Sequence, residues 1–488
     1  MRTRWRAAHV LAHQDGRHVL LGDGEVVWED DTLLYVGHRW DGAVDEDIDL
    51  GEHLVMPGLI DLDALADIDH LLLDSWASPD RGPGLQWSHA YAGRSRDVFT
   101  PAERSAVREY ALVQLALHGI TTYMPIASEV HSSWAETFDE FADLAATSRR
   151  IGLRGYLGPS YRSGVNVVRP DGRRDIVFDE ERGRAGLREA ERFLDHVEQL
   201  DDPLVRAALL PCRIETLTPE LLRATAELAL RRDVPVRLHC LQGLQEREAV
   251  HRLHDCTPLE LLGSTGLLDT RLLVPHGLVI DRHPDVHGED RGDLAALAGV
   301  SVVHCPQTSL RYGSVLHSFG AYRRAGLNLC LGTDSFPPDL IRGMDVGVHL
   351  AKVVDGRADA ASAEAYVEAA TLGGARALGR PDLGRLAPGA RADLVAFRLD
   401  DLRDGVLDDP VRTLLLNGTA RNATHSVVNG RPVLVDGHVP GIDTDGLRRR
   451  AQSLFATMRA AYGERDVRGR TADELFPPTF PAFVDPAP

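Results

Sequence analysis

Val55-Met56-Pro57-Gly58-Leu59-Ile60-Asp61-Leu62-Asp63-Ala64-Leu65 is the point at which the chain changes its pattern. Upstream, short apolar stretches such as Val19-Leu20-Leu21, Glu25-Val26-Val27-Trp28 and Leu33-Leu34-Tyr35-Val36 alternate with Gly and Asp turns and read as strands. Downstream, from 57 to about 385, short apolar runs alternate with helical segments, the pattern of βα units on a parallel sheet. Candidate strands fall at 54–61, 121–125, 151–157, 205–210, 236–240, 272–276, 300–304 and 327–333. Helices are expected over 101–118, 187–199 and 219–232. The first of these opens with Thr100-Pro101, an N-cap followed by proline at the first helical position.

Eight such repeats predict an α/β fold, a (β/α)₈ TIM-like barrel over 57–385. Strand patterning returns in Ala392-Asp393-Leu394-Val395-Ala396-Phe397 and in 427–435, where Asn429-Gly430 marks a hairpin turn. A small flanking β-sandwich domain built from both termini, 1–56 and 386–440, is therefore expected. Residues 441–488 read as a helix over 443–462 and a proline-rich tail that is extended or disordered.

The composition is that of a soluble globular chain, with 43% hydrophobic and 26% charged residues among 488. No apolar run reaches the roughly 20 residues that span a bilayer, and 1–16 has no signal-type apolar core, so a cytoplasmic protein without a membrane partner is expected. A net charge of −19 argues against a nucleic-acid partner. The five cysteines, Cys212, Cys240, Cys256, Cys305 and Cys330, show neither disulfide nor zinc-knuckle spacing. Lys352 is the sole lysine.

The order of short motifs resembles the amidohydrolase superfamily, in the branch of cytosine deaminase and the triazine chlorohydrolases. The fragments that carry the resemblance are Pro57-Gly58-Leu59-Ile60-Asp61, His118-Gly119-Ile120-Thr121-Thr122, Leu238-His239-Cys240-Leu241-Gln242, Pro275-His276-Gly277, His304-Cys305-Pro306 and Leu331-Gly332-Thr333-Asp334. Two more follow, Ala370-Thr371 to Ala375 and Gly384-Arg385 to Val395. The resemblance implies metal ligation by His239 and His276, with Asp334 as ligand or general base and His276 as ligand or polariser of the attacking water. Two imidazoles and a carboxylate form a common catalytic zinc set with a fourth position left for water. The expected cofactor is one divalent metal ion, zinc by ligand type. The bland alternatives are hydrogen-bonded histidines at strand ends and, for Asp334, a capping or loop carboxylate.

Three departures bear on the chemistry. Asp63 and Leu65 stand where the family carries His-x-His. Leu65 cannot bind a metal; Asp63 is either an oxygen ligand or a strand-end carboxylate paired with an arginine. Gln242 stands where proton-shuttling relatives carry Glu, and an amide cannot act as a general acid–base. With no lysine near the fourth strand, a carboxylated-lysine bridge is excluded, and Glu215 or Cys212 is the nearest substitute for such a bridge. Gln242, His304 and Arg311 are expected to contact substrate. Asp67 and His70 are candidate replacement ligands, Tyr161 and Arg162 candidate pocket residues, and Cys240 and Cys305 buried neighbours of the site.

The leading expectation is an atypical amidohydrolase that cleaves an amide or activated amide, a small molecule or peptide, with Asp334 and His276 as catalytic groups. A place in peptide natural-product (antibiotic) maturation is entertained through a resemblance to the follower-cleaving amidohydrolases of bottromycin-type pathways. The alternatives are a deaminase of a small heterocycle and an inactive barrel serving as a binding subunit. Pairing of two copies into a homodimer is expected from the barrel type.

Overall fold

The computed structural model describes residues 1–68, 87–126, 134–286 and 292–484. His70 and the last four residues lie outside the described residues. Among the described residues, no helix is long and apolar enough to cross a membrane.

The apolar run around Gly58 holds two strands, not one. Glu46–Pro57 ends at the proline, and Leu59–Leu65 begins after the single intervening Gly58 and runs past Asp61. Gly58 is required at the break, because a Cβ there would meet the Thr121 side chain at 2.2 Å. Its N–H donates to Asp393 O at 3.0 Å, so the break is also the junction with the C-terminal strands.

Glu46–Pro57 belongs to a seven-stranded sheet made from both ends of the chain. The order is Arg431–Leu434, Ala423–Val428, Leu394–Arg398, Glu46–Pro57, Arg2–Gln14, Arg17–Glu29 and Thr32–Gly37. The expected sandwich is thus, by its hydrogen bonds, one continuous sheet. Its apolar side packs Trp5, Val26, Trp28, Leu33, Val55, Leu394 and Val427, with Trp5 and Trp28 edge-to-face at 5.4 Å. Asn429 and Gly430, at φ 50° and 76°, supply the two left-handed positions of the predicted hairpin turn.

Leu59–Leu65 starts the α/β part. It heads a parallel ladder with Ile120–Ile126, Arg154–Leu157 and Val205–Ala207. A second parallel ladder joins Val236–Arg237, Leu272–Pro275, Ser301–His304 and Asn328–Leu331. The two meet where Arg237 N–H donates to Leu209 O at 3.0 Å. At the other seam Asp334 N–H donates to Asp63 O at 2.8 Å. The ladders therefore do not run as one uninterrupted closed sheet, and the arrangement is TIM-barrel-like. All eight expected strands are present, several shorter than expected. The residues of 236–240 beyond Arg237 make only isolated bridges, Arg213 with His239 and Cys240 with His276.

Helix Pro101–Leu117 carries the expected Thr100 cap, completed as a capping box by Glu103. Helix Glu180–Leu200 starts seven residues before the expected 187, at its cap Asp179, because its first turns are polar and carry little apolar periodicity. A hairpin of Gly164–Val168 and Arg174–Phe178, paired to Trp87–Ser88, is an addition that the sequence reading did not anticipate. Helix Thr444–Ala461 docks on Pro101–Leu117 through Leu454 and Met458, and the tail joins them by burying Leu475 and Phe476. Among the described residues, 477–484 are without regular structure.

A buried ion pair and a buried carboxyl hold this frame. Arg154 forms a two-pronged pair with Asp393, both contacts at 3.0 Å, and Asn429 N–H donates to the same carboxylate at 2.7 Å. The pair ties the parallel ladder to the seven-stranded sheet and is almost fully buried, at 1% and 4% exposure. Glu246, in helix Leu244–His254, accepts from Leu241 N–H at 2.6 Å and Gln242 N–H at 3.1 Å. Burial first, and then the charge of Glu215, push its carboxyl up to about 8.

Asp393→Ala strands the Arg154 guanidinium and is expected to cost roughly 3–5 kcal/mol in chemical denaturation. Replacing both partners by leucine should cost less. The Glu246 carboxyl is neutral when folded up to about pH 8 but ionises near its ordinary 4.5 when unfolded. Its contribution is therefore full at low pH and falls as pH rises through that window. In Glu246→Gln, the decline in melting temperature between pH 5 and pH 8 should be shallower than in the parent protein.

Candidate metal centre

At the C-terminal ends of the parallel strands, side chains from the first, fifth, sixth and eighth strands converge. Asp63 lies in Leu59–Leu65, His239 follows Val236–Arg237, His276 follows Leu272–Pro275, and Asp334 follows Asn328–Leu331. Strand alternation sends Asp61 and Asp63 to the same face. Asp61 does not reach the cluster. Its carboxylate accepts from Thr333 N–H at 3.0 Å and Thr333 Oγ1 at 2.6 Å, and it thereby sets the first strand against the last. Gly332 is needed beside it, because a Cβ there would meet Asp63 Cβ at 2.5 Å.

The convergence is close. Asp63 Oδ2 is 3.6 Å from His239 Nε2 and 4.0 Å from His276 Nε2, and His276 Nε2 is 3.6 Å from Asp334 Oδ2. The donor atoms of Asp63, His239 and His276 all lie within 4.8 Å of one another. His239 Nδ1 faces Cys212 O at 3.2 Å, so with the proton there the Nε2 lone pair points at Asp63. His276 Nε2 is buried and has no hydrogen-bond partner. Three of the residues here, Leu241, His276 and Asp334, hold positive φ of 58°, 67° and 41°. Such strain in non-glycine residues concentrates at functional sites.

Electrostatics separate the members. Burial drives the imidazoles toward the neutral form, His276 down to about 3 and His239 in the same direction. Burial would raise the Asp63 carboxyl, but His239, Arg237 and His276 outweigh it and hold it at about 2. The Arg237 guanidinium, 3.2 Å from Asp63 Oδ1, is the permanent positive charge beside that carboxylate. For Asp334, burial and then the Asp63 charge act together and push the carboxyl well up. Asp334 keeps 19% of its side chain exposed, whereas Asp63 is sealed at 0%, so Asp334 is the carboxyl that an incoming molecule can touch.

The other sequence candidates are placed as follows. Gln242 Oε1 accepts from Arg213 Nη1. His304 is buried against Phe319 and Tyr366, its Nε2 3.4 Å from the Tyr366 hydroxyl. Arg311 is half-buried, donates to Phe336 O at 3.4 Å and lies within electrostatic reach of Asp334. Leu65 is half-buried at the end of its strand. Asp67 is buried, accepts from Ile68 N–H at 2.5 Å and is not in the cluster. Glu215 accepts from Asn166 Nδ2 at 2.9 Å and Cys212 Sγ sits 3.1 Å from Ser160 Oγ, so neither joins the metal group. Tyr161 bonds Thr225 at 2.8 Å behind the strand, and Arg162 is buried over the Trp87 ring at 5.2 Å. Cys240 and Cys305 are buried, with Cys305 Sγ 3.7 Å from Asp63 Oδ2.

Sequence reasoning missed Arg237, Arg213 and Glu246. The one available signal was the charge in Val236-Arg237-Leu238, a buried strand that should be uniformly apolar.

Residues 54–433 match the amidohydrolase family. The 8-oxoguanine deaminase of Pseudomonas aeruginosa is 28% identical over 449 residues, which cover 91% of this chain and 95% of that one. A 5-methylthioadenosine/S-adenosylhomocysteine deaminase of Pyrococcus furiosus is 27% identical over 424 residues, covering 85% and 91%. A zinc-bound adenosine deaminase structure from Xanthomonas campestris superposes with a TM-score of 0.75 at 24% identity, covering 94% and 98%. These relatives lend no support to the resemblance to follower-cleaving, bottromycin-type enzymes. From the last flanking strand before Gly58 to the C-terminal strands of the same sheet, the match is continuous, and the chain belongs to the amidohydrolase family.

Proposed function

We propose that this protein is a metal-dependent hydrolase that removes an amino group from a small nitrogen heterocycle. The observation that carries the reading is the set of donors of Asp63, His239 and His276 within 4.8 Å, with Asp334 against His276. The donor set fits a divalent ion of zinc type, one oxygen and two imidazole nitrogens, and the partnerless His276 Nε2 has no other evident use. The reading takes the two parallel ladders as one barrel over 57–385 and the seven-stranded sheet, 1–56 with 386–440, as its folded flank.

The curated relatives, which are deaminases, favour this reading over the expected amide or peptide substrate, and the place in antibiotic maturation falls away. When bound, the ion supplies Lewis-acid activation of water. Asp334 then does the proton work. Ionised beside the bound ion, its partly exposed carboxyl would take the proton of the attacking water and return it to the departing amine. Gln242 cannot shuttle protons; held by Arg213, it orients the ring. His276 and His239 stay neutral and keep their Nε2 lone pairs for the ion. Arg311, within electrostatic reach of Asp334, and the buried His304 are the further residues assigned to the substrate side.

The protein purified without added metal should carry about one equivalent of zinc or a similar ion by elemental analysis, and chelation should stop ammonia release from aminated purines and related heterocycles. A folded, metal-free preparation with full activity would refute the metal role, and amide cleavage without ammonia release from any heterocycle would restore the amide reading. Asp334→Asn keeps the shape but cannot take a proton. Its turnover should fall roughly 10²–10⁴-fold with the circular dichroism unchanged.

A further inference from the structure

Arg237 and Asp63 come from the fifth and first parallel strands, on opposite sides of the barrel. Their ion pair therefore crosses its interior at 3.2 Å, with both side chains sealed, at 2% and 0% exposure. Arg237 shares its strand face with His239, two residues on, so its guanidinium lies directly beneath the donor cluster. Neither its Nε nor its Nη1 makes a hydrogen bond. A guanidinium so placed is tolerated only against a fixed negative charge. Asp63 is that charge, and Asp334 also lies within the field of Arg237.

We propose that Arg237 is a positioning residue of the metal centre, which aims the Asp63 carboxylate and offsets the negative charge it brings. This rests on the metal reading given above. A carboxylate at position 63 in place of a neutral imidazole adds one negative charge to the ligand set. Together with Asp334 it would cancel a divalent ion completely, and a neutralised centre polarises water poorly. Arg237 returns one positive charge to the cluster. Asp63 and Arg237 act as one unit, a charge-balanced replacement for a neutral ligand.

The test compares the full chain with Arg237→Met, Arg237→Lys, Asp63→Asn and the double variant Asp63→Asn/Arg237→Met. Zinc affinity is measured by chelator competition, the melting temperature with and without zinc, and the visible spectrum after cobalt substitution. Arg237→Met should melt lower without zinc, gain more on adding zinc than the parent does, and bind zinc at least about tenfold tighter, since a nearby positive charge has been removed. Its cobalt spectrum should shift as Asp63 loses its anchor, and Arg237→Lys should recover the parent behaviour. Asp63→Asn should bind zinc weakly, and the double variant should bind it more tightly than Asp63→Asn does. If Arg237→Met fails to fold, the comparison of the Asp63→Asn single and double variants decides. Equal zinc affinity in that pair, or in Arg237→Met and the parent, would overturn the proposal while leaving the metal reading intact. A parent protein that binds no zinc at all would overturn both.

Discussion

The carboxylate of Asp61 bonded to both the N–H and the hydroxyl of Thr333 is the contact on which the site depends. It closes the seam between the first and last parallel strands, where the backbone contributes the single Asp334-to-Asp63 hydrogen bond. Without it the two strand ends could slide. Asp63, two residues beyond Asp61, and Asp334, one residue beyond Thr333, would lose their common relation to His276. Asp61 is itself pushed up to about 6, by burial first, and the two donors on Thr333 oppose that rise. A residue whose carboxylate is not among the donors, and which also accepts from Asp63 N–H at 3.1 Å, thus sets the dimensions of the cluster.

Around that seam the molecule stacks charge in layers. Arg237 lies below the donors, Asp63 and the imidazoles form the middle layer, and Asp334 sits at the rim with Arg311 within reach. Beside them, Glu246 grips the two N–H groups that follow the strand end at His239 and fixes the loop from which Gln242 projects. The rim is also where the cluster meets the outside, because Asp334 keeps 19% of its side chain exposed while Asp63 below it is sealed.

Much of this was legible in the sequence, for a physical reason. Parallel strands buried on both faces are short apolar runs, and 272–275 and 301–304 were placed within a residue or so by that property alone. His239, His276 and Asp334 were legible because each ends such a run. Of the two readings of Asp63, the pairing with an arginine is present, and the same carboxylate also faces two imidazoles. What the sequence hid was partnership at a distance. Nothing near Arg237 names Asp63, nothing near Arg213 names Gln242, and the apolar run around Gly58 gave no hint that two sheets share it. The helix ending in Leu200 hid its start for a different reason, because polar first turns on a surface leave no periodicity to read.

The near-absence of lysine, noted as a constraint on metal bridging, has a second side. Lys352 stands in the last turn of helix Leu340–Asp355, half-exposed, about 18 Å along the axis from the helix start that follows Asp334. Among side chains, then, acylating reagents, aldehydes and amine-reactive surfaces meet a single target, and it lies toward the opposite end of the barrel from the donor cluster. Molecules coupled through that side chain, as distinct from those caught at the exposed Met1 α-amine, would share one orientation, with the donor cluster facing away from the support.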